Sequence, residues 1–290
     1  MKRRADQLLV EKGLCESRAV AQRLILAGEV RVGDDGVVRK TSDLLDPAAD
    51  LRVVAAYPYV SRGAEKLLAA LRAFEPDLHG AVALDIGAST GGFTEVLLER
   101  GARRVYAVDV GYGQLHARLR ADPRVVCLEK VNSRYLSAAQ VPDPIDVLTA
   151  DVSFISLRKA LEACRRLLKT GAWVFVLVKP QFEARREEIA HGGVVRDAAV
   201  RERCVNDIRH FLEEEFGCRV LGAVPSPILG PKGNQETVLA ARASDPGDAG
   251  GEALPGDRVE MAPAEPARHE DTRTRKSEIL KVRKHESMKA

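Results

Sequence analysis

Val82-Ala-Leu-Asp85-Ile-Gly87-Ala-Ser-Thr-Gly91-Gly92-Phe-Thr94 is an apolar run that breaks into glycines and resumes as an amphipathic pattern. Val82–Ile86 reads as a strand and 92–100 as a helix, with the glycines as the joint between them. Gly87 permits a tight turn, and Gly91 and Gly92 are expected to let a ligand approach the backbone at the helix N-terminus. A dinucleotide-binding loop has the spacing Gly-x-Gly-x-x-Gly. Here the order is Asp-x-Gly-x-x-x-Gly-Gly, so the first glycine is missing and the spacing differs. Asp85 on the strand would repel a pyrophosphate and suits a ligand with an ammonium group. S-adenosylmethionine carries an amino acid and a sulfonium and no phosphate. Asp109, 22 residues after Gly87, ends Val105-Tyr-Ala-Val-Asp109. A carboxylate there can accept both ribose hydroxyls of a nucleoside. Alone, the loop also fits an ordinary glycine turn with a capping Asp; the loop and the distant acid together point to a nucleoside.

Outward from this joint, strands and helices alternate between Tyr59 and about Arg242. Strands are expected at Val82–Ile86, Val105–Val110, Val125–Leu128, Ile145–Ala150, Trp173–Val178, Arg219–Val224 and Glu236–Ala240. Helices are expected at 64–73, 92–100, 113–121, 156–168 and 198–216. Apolar strands alternating with helices imply an α/β fold, a parallel sheet buried on both faces. A Pro/Gly-rich stretch separates the last two strands, so one of them is expected to run antiparallel at the edge.

Residues 1–57 read as a smaller α+β unit. Ala5, Leu8 and Leu9 share a helical face that Gly13 stops, and Ser17 opens a second helix with Val20, Ala21, Leu24 and Ile25 inward, ended by Gly28. Val30 and Val32 alternate as a strand, Gly33-Asp34-Asp35-Gly36 turns, and Val37 and Val38 return. A last strand spans Leu51 to Ala55, and 58–60 forms the linker to the domain at 61–242. Residues 243–271 carry eight acids and two arginines, and 272–290 carry seven Lys/Arg and two Glu. Neither block has sustained apolar periodicity, so 243–290 is expected to be a disordered charged tail.

Composition narrows the function. With 45% apolar and 30% charged residues the chain is an ordinary globular mixture. A net charge of +3 is too small to indicate nucleic-acid binding by bulk charge. The longest apolar run, Ala172–Val178, falls far short of the ~20 residues of a membrane span. No apolar segment precedes Asp6 and Glu11, which argues against a secretory signal. Cys15, Cys127, Cys164, Cys204 and Cys218 are scattered without a Cys-x-x-Cys pair, as expected for reduced thiols in a cytoplasmic protein and not for a zinc site.

Four polar residues share one destination. Lys66 sits early in a helix after Ser61-Arg62-Gly63, and Asp151 ends Asp146-Val-Leu-Thr-Ala-Asp151. Lys179 ends the apolar Trp173-Val-Phe-Val-Leu-Val-Lys179, and Glu236 follows Gly233-Asn-Gln. Carboxyl ends of strands converge on the ligand crevice in such sheets, which brings Asp151 and Lys179 near the cofactor. Singly, Lys179 also fits a side chain snorkelling to solvent, and Asp151 a helix cap.

With these segments in view, the chain resembles a known family. The sheet domain is similar to the FtsJ/RrmJ-like class I (Rossmann-like) 2′-O-methyltransferases and their Lys-Asp-Lys-Glu tetrad. Residues 1–242 resemble the TlyA (hemolysin A) family of rRNA cytidine-2′-O-methyltransferases. The matching segments are Tyr59-Val-Ser-Arg-Gly-Ala-Glu-Lys66, Asp85–Thr94, Asp151-Val-Ser-Phe-Ile-Ser156, Val178-Lys-Pro-Gln-Phe-Glu183 and Gly233-Asn-Gln-Glu236. The resemblance implies catalytic roles for Lys66, Asp151, Lys179 and Glu236. It also implies S-adenosyl-L-methionine as cofactor, bound by Asp85, Gly87, Ala88, Ser89, Gly91, Gly92, Phe93 and Asp109. The linker Tyr57-Pro-Tyr-Val60 departs from the Arg-x-Trp-Val of some relatives.

The front unit resembles the RNA-binding domain of ribosomal protein S-four, through Arg4-Ala-Asp-Gln-Leu-Leu, Ser17-Arg18, Leu24-Ile25 and Gly28-x-Val30-x-Val32. Arg3, Arg4, Lys12, Arg18 and Arg23 are expected to form one basic face meeting phosphates of folded RNA. Charge alone would equally suit a solvated helical surface. The expected substrate is ribosomal RNA, free or in subunits: 23S rRNA, with 16S rRNA open as a second target. No obligate protein partner is expected. The cofactor supplies the electrophile, so no metal is required. Lys179 is the expected base toward the 2′-hydroxyl, and Lys66 the expected stabiliser of developing oxyanion charge. Other readings are a non-catalytic RNA-binding protein, a small-molecule methyltransferase or NAD-linked enzyme, and a membrane-lytic hemolysin.

Overall fold

The computed structural model describes residues 2–26, 29–33, 36–38, 40–54 and 58–244. Gly28, Asp34, Asp35, Ala55 and Tyr57 lie outside the described residues, as do 245–290 of the expected tail.

Seven strands form the large sheet: β1 (Val82–Ile86), β2 (Arg104–Asp109), β3 (Val125–Glu129), β4 (Ile145–Ala150), β5 (Leu168–Val178), β6 (Cys218–Pro225) and β7 (Thr237–Ala243). Their order is β6-β7-β5-β4-β1-β2-β3. The first five run parallel, and β7 is antiparallel to both β5 and β6. An antiparallel strand was expected at the edge, but β7 lies one place inside it and β6 takes the edge. Burial explains this. Val238 through Ala241 are all buried and need cover on both sides, whereas β6 leaves Arg219 exposed. Strand β7 spans Thr237–Ala243 where Glu236–Ala240 was expected, and Ala243 pairs with Cys218, so it ends three residues past the expected strand and one past the expected domain limit at 242.

Helices cover both faces of the sheet. Helices α1 (Ala64–Phe74) and α2 (Gly92–Glu99) pack Leu67, Leu71, Val96 and Leu97 against Ala83, Val105 and Phe175. Between β2 and β5 lie α3 (Ala117–Arg120) and α4 (Leu157–Leu161), and α5 (Pro180–Glu183) and α6 (Ala198–His210) follow β5. Leu157, Leu161, Cys204 and Ile208 meet Leu84, Ile86 and Val176 on the opposite face. This in-and-out alternation along each strand follows from the period-two geometry of β-structure.

Several helices are shorter than their periodicity predicts. The expected 113–121 helix contracts to α3, because His116 turns to an extended ψ and caps the helix through Nδ1, accepting from Arg118 N. The expected 156–168 helix stops at Leu161, followed by a short 3-10 turn at Arg165–Leu167. The end of the 198–216 helix widens into one π turn at Phe211–Glu215. Strand β5 starts five residues earlier than Trp173, through Leu168, with a register shift before Trp173.

In the front unit, helices Ala5–Glu11 and Arg18–Leu26 pack on an antiparallel sheet of Gly36–Val37, Val30–Val32 and Leu51–Val53. Ala5, Leu8, Leu9, Ala21, Ile25, Val30, Val38 and Leu51 are its core. A second pair of strands, Arg3–Arg4 with Leu44–Leu45, has no sequence signature beyond two leucines.

Candidate active site

The parallel strands end together on one edge of the sheet. Asp151 follows β4 and donates its N–H to Ile86 O at 2.9 Å, so the ends of β4 and β1 are tied side by side. Lys179 follows β5. Because β7 runs antiparallel to β5 with Val178 opposite Thr237, the start of β7 lies beside the end of β5, and Glu236 arrives next to Lys179. Lys66 comes down from α1. A cleft of about 420 Å³ opens over this edge, lined by Arg62, Lys66, Asp151, Ser153, Lys179 and the 87–93 loop among others.

The four expected catalytic residues meet in one cluster. Lys66 Nζ donates to Glu236 Oε2 at 2.6 Å and lies 3.7 Å from Asp151 Oδ2. Lys179 Nζ lies 2.5 Å from Asp151 Oδ1 and donates to Ser153 Oγ at 3.0 Å. Lys66 and Lys179 are buried, Glu236 is fully so, and the Asp151 side chain is 20% exposed. Two cations and two anions cancel, which makes burial of the cluster tolerable. Gln181, on α5, adds a long contact of 3.5 Å from its Nε2 to Glu236 Oε1.

The glycine loop is built by packing as much as by ligand access. Gly87 has φ +80, and a Cβ there would sit 2.5 Å from Asp151 O. Gly91 has φ +100, and a Cβ would strike Leu119 Cδ1 at 2.3 Å. A side chain at Gly91 would also meet Leu115 and Leu119, and one at Gly92 Ser61 and Ala64, so both glycines serve packing as well. Ala88, Ser89, Gly92 and Phe93 line the cleft.

The two acids of the loop differ in kind. Asp109 stands at the end of β2, where Oδ2 accepts from Ser89 N at 2.8 Å and Oδ1 from Gly111 N at 2.7 Å. It braces the loop while keeping a lone pair free on each oxygen. Asp85 is fully buried and accepts from Thr94 Oγ1 at 2.6 Å and Thr149 Oγ1 at 2.9 Å. Burial pushes its carboxyl up to about 6. The direct ammonium contact expected of Asp85 does not fit this placement, since the cleft lining does not include it. Its carboxylate instead ties α2 and β4 together beneath the loop.

Sequence reasoning passed over three supports. Ser153 sits two residues after Asp151, within a segment already matched but not singled out. Glu183 accepts from Ser156 Oγ at 2.7 Å and Leu157 N at 2.8 Å, fixing the chain that follows Asp151. Burial raises the Glu183 carboxyl above its ordinary range. Glu95 holds the linker: its Oε2 accepts from Val60 N at 2.6 Å, and its Oε1 pairs with Arg118.

The basic residues of the front unit are not equally available. Asp6, fully buried, accepts from Arg4 Nε at 3.0 Å, Arg18 Nη2 at 3.0 Å and Gln22 Nε2 at 3.3 Å. The hydrogen bonds from Arg4 hold its carboxyl well below the usual carboxylate range. Arg3 pairs with Glu11 at 2.9 Å. Lys12 and Arg23 are exposed, and neither has an ion pair among the described residues.

Comparison with known proteins fits this geometry. A family model described as FtsJ-like methyltransferase matches residues 59–243, and one described as S4 domain matches residues 3–50. The chain is 45% identical over 241 residues to a Mycobacterium tuberculosis protein named 16S/23S rRNA (cytidine-2′-O)-methyltransferase TlyA, covering 82% of this chain and 89% of that protein. It is 40% identical to Hemolysin A of Brachyspira hyodysenteriae, covering 80% of this chain and 97% of the relative. A solved structure of a hemolysin-type protein from Streptococcus thermophilus is similar with a TM-score of 0.66 at 40% identity, covering 84% of this chain and 89% of that one. With a tetrad-bearing sheet behind an S4 domain, and relatives this similar over most of its length, the chain belongs to the FtsJ-like methyltransferases, in the TlyA (hemolysin A) family.

Proposed function

We propose that this methyltransferase uses S-adenosylmethionine to methylate the 2′-hydroxyl of a cytidine in ribosomal RNA. The observation that carries the reading is the convergence of Lys66, Asp151, Lys179 and Glu236 at one cleft beside the glycine loop. The relative named as a 16S/23S rRNA (cytidine-2′-O)-methyltransferase supports the choice of substrate. Among the described residues, no helix is long and apolar enough to cross a membrane.

The residues of the cleft fit the cofactor. Asp109 keeps lone pairs at the strand end where ribose hydroxyls bind, and the Asp151 carbonyl edges the loop at Gly87. These acceptors, at the loop end of a cleft that also holds Arg62, Lys66 and Lys179, suit a nucleoside. Gly87, Ala88, Ser89, Gly92 and Phe93, which line the cleft, would hold it, with Asp109 beside them at Ser89 and with Gly91 and Asp85 shaping the loop from behind. When bound, S-adenosylmethionine supplies a methyl group on an electron-poor sulfonium.

The protein side chains then act on the hydroxyl. Lys179 removes its proton from the edge of the cleft. Asp151, 2.5 Å away, holds Lys179 in place. Lys66, anchored by Glu236, opposes the charge that develops on the oxygen. The front unit supplies affinity for folded RNA through its exposed helical cations, and the division between the units falls at the linker 58–60. Lys179→Ala should leave S-adenosylmethionine binding nearly intact and slow single-turnover methyl transfer by ~10²–10⁴, the range for loss of a positioned base. A near wild-type rate would contradict this chemistry.

A further inference from the structure

A lysine acting as a base must aim a lone pair, and aim is separate from position. The stem of Lys179 is placed by β5, whose last residue Val178 is fully buried. Rotation about the final Cε–Nζ bond remains, and it decides where the lone pair points. A contact outside hydrogen-bonding alignment fixes that direction less than an aligned hydrogen bond does. The tetrad brings four charged groups to this corner, Lys66, Asp151, Glu236 and Lys179 itself, and Arg62 lines the same cleft. Lys66 and Glu236 pair with each other. Asp151 Oδ1 lies 2.5 Å from Nζ, yet this buried oxygen has no partner in hydrogen-bonding alignment. It supplies charge without setting rotation. Among the described residues, the aligned hydrogen bond that Nζ makes goes to Ser153 Oγ at 3.0 Å.

We infer that Ser153 is a positioning residue that fixes the rotation of Lys179 Nζ so that its lone pair faces the cleft. Ser153 and Lys179 line the same cleft. The segment carrying Ser153 is pinned at both ends, by Asp151 N on Ile86 O and by Ser156 and Leu157 on Glu183. Ser153 is therefore placed by the sheet and α5 together. With Cε and Ser153 taking two tetrahedral directions of Nζ and Asp151 crowding a third, one direction is left for the substrate hydroxyl. In the step it serves, the O–H bond breaks and its proton joins the Nζ lone pair. The pair left on oxygen forms the O–C bond to the methyl, and the S–C pair returns to sulfur.

This inference rests on Lys179 as the base, and its test separates the two claims. Full-length Ser153→Ala, Ser153→Thr, Ser153→Cys and Lys179→Ala are compared in single-turnover methylation of rRNA. S-adenosylmethionine affinity is measured calorimetrically, and the Lys179 ¹³Cε resonance is followed by NMR without cofactor. Ser153→Ala should slow transfer about 3- to 10-fold at saturating substrate, the range for a lost hydrogen bond between neutral groups. It should also shift the Lys179 resonance and leave cofactor affinity unchanged. Ser153→Thr, which keeps the hydroxyl acceptor, should restore both rate and resonance. Ser153→Cys, a weak acceptor of similar volume, should restore neither. A wild-type rate and resonance in Ser153→Ala, with Lys179→Ala inactive, would overturn the inference and leave the base assignment standing. A wild-type rate in Lys179→Ala would overturn both.

Discussion

Asp85 sits fully buried between Thr94 and Thr149, and its ionisation reports on the floor of the site. Burial raises its folded-state pKa from 3.8 to about 6. Between those values the folded protein binds more protons than the unfolded chain. The stability contributed by the protonated form is complete below the unfolded value and is lost as pH rises through about 6. A shift of this size corresponds to on the order of 3 kcal/mol. Asp85→Asn should therefore flatten the stability profile measured by urea unfolding across that window. An unchanged slope in the variant would assign the titration to another group. At this scale the sequence is only half legible. An acid before a glycine turn is visible in the chain, but its partners lie nine and 64 positions away, and nothing local announces them. The same holds for Ser153, which reaches Lys179 across 26 positions.

Helices and strands were more legible, because their signals are local. Val82–Ile86 and Ile145–Ala150 appear with the bounds their apolar runs predict. The interior position of β7 was not legible, since strand order depends on which faces find cover and a Pro/Gly-rich connection permits either place. That placement matters to the site: it brings Glu236 to the carboxyl ends of the parallel strands. Element geometry also divides the cations of the basic face. Arg4 and Arg18 are partly committed to the buried Asp6, so reversing Arg18 would set a second carboxylate beside it and disturb folding. Lys12 and Arg23 carry no such duty. Lys12→Ala with Arg23→Ala should weaken rRNA binding and lower the slope of log K against log salt by about 2, one unit per phosphate contact. Equal affinity and slope, measured by fluorescence anisotropy over a salt series, would remove these two residues from the RNA face.

The proposed function divides affinity from chemistry across the whole molecule. The S4 domain offers exposed helical cations and a small core, while the large sheet brings Lys66, Asp151, Lys179 and Glu236 together at the carboxyl ends of its parallel strands. Between them, Pro58–Val60 is held on the sheet domain by Glu95 and Arg118. Glu95 belongs to α2, the helix that the glycine loop opens, and Arg118 to α3, whose Leu119 fills the space beside Gly91. The linker thus rests on the two helices that also shape the loop. The central claim is that this assembly methylates a cytidine ribose. It is tested most directly by incubating the full chain with methyl-labelled S-adenosylmethionine and undermethylated ribosomal subunits, then digesting the RNA to nucleosides for mass spectrometry. The account predicts label in 2′-O-methylcytidine, present with wild type and lost with Lys179→Ala. Label on a base, or none from a wild-type protein that binds the cofactor, would contradict it.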